Sequence, residues 1–113
     1  MKIAIPTTGN TPQTTIDTRF GRASWYCLVD LENKQKEFIK NSAISAAHGA
    51  GVQAGQLMID NGVNAVISDK FGPNAAEVLR AANIKIYLLP TGNSNQLDDI
   101  VQDIINFATE ENT

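Results

Sequence analysis

The segment 63–89 constrains the fold of this chain most strongly. It reads VNAVIS, then DKFGPNAAEVLRAAN, then IKIYLL, so two short β-branched runs flank a stretch with apolar residues at helical spacing. Pro73 suits the first turn of a helix, and Asn83 can close its end. Two strands joined through a helix pair in parallel with a right-handed crossover. We therefore expect parallel strands at 63–68 and 84–89, connected by that helix.

The other segments extend this unit into one α/β domain. Further strands are predicted at 1–6, 24–30 and 36–40, and further helices at 51–60 and 95–109. Consecutive strands that no helix separates are expected to pair antiparallel, which makes the second strand antiparallel to its neighbours. The order β-β-β-α-β-α-β-α therefore predicts a five-stranded mixed sheet flanked by helices on both faces. The length of 113 residues fits a single domain, 1–113, with a polar tail at about 110–113.

Side-chain periodicity also predicts the core. Strands alternate their side chains between two faces, which groups Trp25, Cys27 and Val29 on one face of the second strand and Tyr26 and Leu28 on the other. The last helix should bury its apolar stripe of Leu97, Ile100, Val101, Ile104 and Ile105. The charged third strand, KEFIK, is typical of a sheet edge.

A long polar loop follows the first strand. Residues 7–23 are rich in Thr, Gly, Pro and Asn and show no sustained periodicity. Ile16 is the only large apolar residue of its first part, and a loop with so little to bury gains little on ordering. We therefore expect residues 7–18 to be the least ordered internal segment.

The unusual residues of the chain collect at one edge of the predicted sheet, the upper edge, where the first strand ends. Ligands of open α/β sheets bind beyond the carboxyl ends of the parallel strands. The predicted topology brings the loops 7–23, 41–48, 69–72 and 90–93 to this edge. The candidate binding residues on these loops and at the helix start are Arg19, Arg22, His48, Gly49, Gly51 and Lys70.

The stretch AAHGAGVQAGQ contains His48, the only histidine of the chain. It lies at a predicted helix start, where free backbone N–H groups and the helix dipole attract anions. Small residues let a ligand approach the backbone, and an imidazole can coordinate a metal. An alternative interpretation is that Gly49 and Gly51 serve chain reversal and helix packing, with His48 solvated.

Two further motifs carry cations to the same edge. The motif RFGRA holds two arginines three residues apart, which could hold an anion bidentately; it also fits a surface turn before a strand. The motif KFGPNA places Lys70 beside a helix start, and ordinary helix entry explains it equally.

Composition excludes several classes of function. A net charge of −3 argues against a bulk nucleic-acid binder. Cys27 is the only cysteine, so one chain cannot supply a protein-only zinc or iron–sulfur ligand set. The apolar run at 3–6 is too short for a membrane span or a signal segment. We therefore expect a cytoplasmic protein without a membrane or nucleic-acid partner.

Three phrases carry a family resemblance: MKIAIPT, RFGRA, and the run from His48 to Tyr87 that begins HGAGVQAGQLMIDNGVNAVISDKFGPNAAEVL. Together they resemble the dinitrogenase iron–molybdenum cofactor biosynthesis family over roughly residues 1–108. The resemblance implies a ribonuclease H-like motif of five mixed strands flanked by helices. It also implies a non-enzymatic carrier of an iron–sulfur or iron–molybdenum cluster, or of a precursor, with a cluster-building or cluster-receiving protein as partner.

The resemblance gives the candidate residues a common role. Such clusters are anionic, so arginine, lysine and backbone N–H donors at the upper edge would suit them. His48 is then the residue expected to ligate iron directly.

Three other functions have to be compared with the residues of the chain. A nuclease needs several converging carboxylates, whereas the first strand carries none and only Asp17 and Asp69 lie near the upper edge. A binding module for a phosphate-bearing metabolite or nucleotide would use the same donors, although no GxGxxG or P-loop motif is present. A small protein-interaction domain that docks through this edge also remains open.

Overall fold

A computed structural model describes residues 1–42, 49–89 and 96–111 of the chain. The strands are β1 (Lys2–Thr7), β2 (Trp25–Asp30), β3 (Gln35–Lys40), β4 (Ala65–Ser68) and β5 (Lys85–Leu88). The helices are α1 (Ala50–Asp60), α2 (Pro73–Ala81) and α3 (Leu97–Glu111), with a short 3-10 helix at Phe20–Arg22 that the sequence did not predict.

The strands form one mixed sheet in the order β3-β2-β1-β4-β5. β2 runs antiparallel to β1 and β3, whereas β1, β4 and β5 are parallel. This confirms the predicted five-stranded mixed sheet and the edge position of β3. The α/β fold follows from two chain connections that each include a helix, because only such a crossover returns the chain for parallel pairing.

Local chemistry explains where the helices begin and end. Pro73 opens α2, as predicted. Gly62 follows α1 with a φ of 69°, and Asn83 follows α2 with a φ of 61°. Both residues take the left-handed conformation that ends helices and that glycine and asparagine tolerate best.

The sheet separates two apolar clusters. Tyr26 and Leu28 pack in the cluster beneath α1 and α2. Cys27 and Val29 pack in the cluster beneath α3. The alternation predicted for these residues of β2 is therefore confirmed. It places the thiol of Cys27 on the face of the sheet that α3 covers, where it is fully buried.

The apolar stripe of α3 is buried unevenly. Leu97, Ile100 and Val101 are buried, as predicted. Ile104 and Ile105 pack against the same cluster but are only partly buried, so the expectation of full burial is wrong for these two. They lie at the margin of the cluster, where the helix leaves part of its stripe in solvent.

Backbone hydrogen bonds hold the loop at 7–18 against its surroundings. The Thr8 N–H donates to the Thr15 carbonyl over 3.0 Å, and the Asp17 N–H donates to the Pro6 carbonyl over 2.9 Å. The Leu97 N–H donates to the Thr14 carbonyl over 3.0 Å, which ties the loop to the start of α3. These backbone partners are contacts that composition does not reveal, and the low order expected of residues 7–18 stays a prediction.

Candidate functional site

Backbone pairing brings two of the predicted cations together at the upper edge. The Phe20 N–H donates to the Lys70 carbonyl over 3.1 Å, and the Lys70 N–H donates to the Thr18 carbonyl over 2.9 Å. Arg19 and Lys70 thus form a parallel bridge between the long loop and the end of β4. Residues 51 positions apart in the chain are fixed side by side by the fold.

Both arginines of this loop are exposed to solvent. The Arg19 side chain is 64% exposed, and its Nε lies 3.7 Å from Asp17 Oδ1. Arg22 ends the 3-10 helix and is also exposed. An exposed pair at this distance contributes little to stability, so a ligand could replace Asp17 as the partner of the Arg19 guanidinium at low cost.

Close glycine contacts place the 3-10 helix against the first turn of α1. A Cβ on Gly21 would lie 3.3 Å from the Gly51 Cα. A Cβ on Gly51 would lie 3.2 Å from the Ala75 backbone nitrogen. Gly51 therefore makes room for α2, which favours the packing interpretation for this residue over close approach of a ligand.

Gly49 behaves differently. It is exposed at the N-cap of α1 with a φ of 73°, and a Cβ there would meet nothing within 4 Å. Glycine is favoured at this position because of the left-handed backbone and not because of crowding. A glycine N-cap offers no side-chain oxygen to the first-turn N–H groups, so the start of α1 keeps its capacity to receive an anion.

His48, the predicted iron ligand, lies outside the described residues, as does the rest of the segment 43–48. The same holds for the segment 90–95 at the end of β5. The described candidates at the upper edge are thus Arg19, Arg22, Gly49, Gly51 and Lys70.

Two buried side chains that the sequence did not single out hold the loop that carries the arginines. The Tyr26 hydroxyl donates a hydrogen bond to the Phe20 carbonyl. The Asn41 amide, fully buried, donates to the Ala23 carbonyl over 2.8 Å and to the Gly21 carbonyl over 3.3 Å. A tyrosine on the core face of a strand is a usable signal, because a buried hydroxyl needs a partner.

Aromatic packing adds to this support. The Phe20 ring lies with its centroid 5.4 Å from that of Tyr26 and 5.1 Å from that of Phe71. Burial, with a smaller contribution from Asp17, raises the pKa of the Tyr26 phenol well above its usual range. Tyr26 therefore stays protonated and remains a donor across the physiological pH range.

Ser68, the last residue of β4, is fully buried, and its Oγ has no hydrogen-bond partner among the described residues. Val66 packs beneath α1 and α2, and alternation puts Ser68 on that same face, at the upper edge. Buried hydroxyls are nearly always paired. This hydroxyl can therefore still donate and accept a hydrogen bond next to the loop of Lys70. Nothing in the sequence indicated that it would be buried without a partner among the described residues.

The donor set defines the chemistry of the site. Within the described ranges, no three His, Cys, Asp or Glu side chains are grouped to hold a metal ion. The groups present are guanidinium, ammonium and backbone N–H donors, which suit an anion that brings its own inner ligands. In the same part of the chain, no helix is both long and apolar enough to span a membrane.

Comparisons with known proteins identify the family. Residues 1–106 match the family described as dinitrogenase iron-molybdenum cofactor. An uncharacterised protein of Methanocaldococcus jannaschii is 33% identical over 105 residues, which covers 90% of this chain and 83% of that protein.

Solved structures share the fold. The apo form of the orange protein of Desulfovibrio gigas superimposes with a TM-score of 0.83 and is 29% identical, covering 94% of this chain and 88% of that one. A Thermotoga protein provisionally assigned as a NifB protein superimposes with a TM-score of 0.75 and is 30% identical. The match covers 96% of this chain and 87% of that one. The chain belongs to the dinitrogenase iron–molybdenum cofactor family.

Proposed function

We propose that this protein binds an anionic iron–sulfur or iron–molybdenum cluster, or a precursor, at the upper edge and carries it without catalysing a reaction. The observation that carries the proposal is the backbone bridge between Arg19 and Lys70, seated next to the glycine-capped start of α1. The family membership supplies the class of ligand.

The physical basis is complementarity between an anion and fixed donors. Metal sulfide clusters carry negative charge, and their outer sulfides accept hydrogen bonds from cations and N–H groups. Arg19, Arg22 and Lys70 provide positive charge, whereas the first turn of α1 provides N–H groups and a favourable dipole. His48, adjacent to Gly49, provides an imidazole for iron.

Cys27 is not part of the proposed site. It is fully buried on the α3 side of the sheet, opposite Ile5 in the middle of the β1–β2 pair. Burial raises the pKa of the Cys27 thiol to about 11, with opposing smaller effects of Lys36 and Asp98. At neutral pH the group is a thiol and not the thiolate that binds metals.

The test is anaerobic titration with two probes, tetrathiomolybdate and a synthetic thiolate-ligated iron–sulfur cluster, followed by their visible absorption. Removing two charges in Arg19→Gln/Lys70→Gln should weaken binding by about tenfold or more at low salt. The matched variant Lys34→Gln/Arg80→Gln loses the same charge away from the site, because Lys34 lies in the exposed turn between β2 and β3 at the opposite end of the sheet and Arg80 lies in the last turn of α2. It should bind as the unaltered protein does.

Further variants separate the roles. Arg22→Ala should weaken binding more at low salt than at high salt, since screening removes charge effects. His48→Ala should weaken the iron-containing probe most if the imidazole ligates iron, and Cys27→Ser should change little. Equal binding by both double variants, or loss of binding in Cys27→Ser alone, would refute the proposed site. Thermal stabilisation by nucleotides without binding of either probe would instead favour a phosphate-bearing ligand.

A further inference from the structure

The two edge strands of the sheet differ in their chemistry. β3 carries charges along its length, including Lys36, Glu37 and Lys40, as edge strands that avoid pairing usually do. β5 instead exposes Tyr87 by 45% and Leu88 by 66%. An exposed edge strand that carries apolar side chains is open to pairing with another chain.

Hydrogen-bond directions show which backbone groups of β5 point away from β4. The Lys85 N–H donates to the Asn64 carbonyl over 3.0 Å, and the Leu89 N–H donates to the Ser68 carbonyl over 3.1 Å. Because bonding directions alternate along a parallel strand, the N–H and C=O groups of Ile86 and Leu88 point away from β4. No other strand of the described residues pairs with that edge.

An apolar groove lies beside this edge. Its volume is about 980 Å³, and it runs between α2 and β5. Its apolar lining consists of Phe71, Pro73, Ala76, Ile84, Ile86 and Leu88. An extended chain paired with β5 could place alternate side chains in this groove, which is how strand addition obtains specificity.

The charges around the groove indicate the partner. Lys70, Arg80 and Lys85 line it, against Asp69 as the one acidic lining residue. The ion pairs of the described residues do not include any of these three cations. A basic groove on a chain with a net charge of −3 favours an acidic partner segment and disfavours a second copy of this same basic edge.

We propose that the groove between α2 and β5 docks an extended acidic segment of a partner protein, which adds to the sheet as a sixth strand beside β5. Apolar side chains of the segment enter the groove, and its carboxylates meet Lys70, Arg80 and Lys85. Lys70 also forms the bridge with Arg19, so a docked segment ends beside the upper edge.

The test uses cluster-free protein, so its outcome does not depend on the proposed cargo. A fluorescein-labelled hexapeptide of three Glu-Val repeats is titrated by fluorescence anisotropy at low salt and at about 0.15 M salt. We expect binding that salt weakens. A Lys-Val hexapeptide of the same length should bind at least about tenfold more weakly. A Glu-Val peptide with proline in place of its central valine should lose about tenfold, since proline cannot donate to the ladder.

The two sheet edges provide matched variants. Lys85→Glu on β5 should weaken binding of the acidic peptide by about tenfold, whereas Lys40→Glu on β3, also an exposed edge lysine, should leave it unchanged. Absence of binding at low salt, equal binding of acidic and basic peptides, or equal effects of the two variants would each overturn the proposal. A dimer in sedimentation that Leu88→Asp dissociates would also overturn it, because a second copy would then occupy the groove.

Discussion

At the scale of single residues, the hydroxyl of Tyr26 supports the upper edge. It lies beneath the loop that carries Arg19 and Arg22 and donates to the Phe20 carbonyl. Asn41 holds the next turn of the same loop through two carbonyl groups. The loop that carries the exposed cations is therefore held by buried polar contacts to its backbone and not by the side chains of the cations.

The contribution of the Tyr26 hydroxyl to the stability of the fold can be measured. Tyr26→Phe leaves the buried Phe20 carbonyl without its donor, and we expect a loss of about 1–3 kcal/mol in the free energy of unfolding. Tyr87→Phe is the matched control, because Tyr87 is 45% exposed, and it should change stability by less than about 0.5 kcal/mol. Urea denaturation of the two variants decides, and equal losses would contradict the role given to Tyr26.

The same residue predicts a dependence on alkaline pH. The pKa of Tyr26 is raised in the folded protein above the unfolded value of about 10. The stability that this shift provides is therefore complete below pH about 10 and declines as the pH rises further. Tyr26→Phe should lose that part of the decline, which denaturation at several alkaline pH values can measure.

At the scale of elements, α1 and α2 approach each other closely because two glycines of α1 face α2. A Cβ on Gly51 would lie 3.2 Å from the Ala75 nitrogen, and a Cβ on Gly55 would lie 2.7 Å from Val78 Cγ1. These residues lie four apart, hence on the same face of the helix. Of the two interpretations of the glycine-rich motif, the contacts favour helix packing at Gly51, and Gly55 packs in the same way, whereas a Cβ on Gly49 would meet nothing within 4 Å.

Gly55→Ala should test this close packing. The added methyl group would meet the stiff, β-branched Val78, and overpacking of this kind costs about 1–3 kcal/mol, despite the better helix propensity of alanine. Gly72→Ala is the control, because a Cβ on Gly72 meets nothing within 4 Å and its φ of −69° suits any residue. If thermal denaturation shows Gly55→Ala to be as stable as Gly72→Ala, the two helices can separate more easily than the contact implies.

At the scale of the whole molecule, two apolar clusters on opposite faces of the sheet hold the domain together. The cluster under α3 joins that helix to the central strands, whereas the cluster under α1 and α2 supports the upper edge. Tyr26 belongs to the cluster under α1 and α2, so the packing of that cluster also positions the loop of the candidate site. The buried thiol of Cys27 belongs to the cluster under α3.

The uneven burial of α3 predicts uneven mutational costs. Leu97 is fully buried, and Leu97→Ala should cost about 2–5 kcal/mol. Ile104 is only partly buried against the same cluster, so Ile104→Ala should cost less than about half of that. Urea denaturation of both variants is the measurement. Equal costs would show that the far end of α3 packs as tightly as its start.

The sequence by itself determined the architecture. The strand–helix–strand pattern of 63–89 and the alternation of β2 are local periodicities, and parallel pairing follows from the length of the connections. The ends of the helices at Gly62 and Asn83 were also predictable, since their left-handed backbone is a local property. The meeting of loop 7–23 with the end of β4 at the upper edge also agrees with chain order.

Only the tertiary structure decided what those residues do there. The bridge of Arg19 with Lys70, the support from Tyr26 and Asn41, and the role of Gly51 in packing each depend on contacts between distant parts of the chain. Sequence motifs record which residue is small or charged but not which neighbour it meets. Among the described residues, the Ser68 hydroxyl has no hydrogen-bond partner and the outer edge of β5 pairs with no strand. The sequence could not predict either feature, because the pairing of a polar group depends on its surroundings and not on its identity.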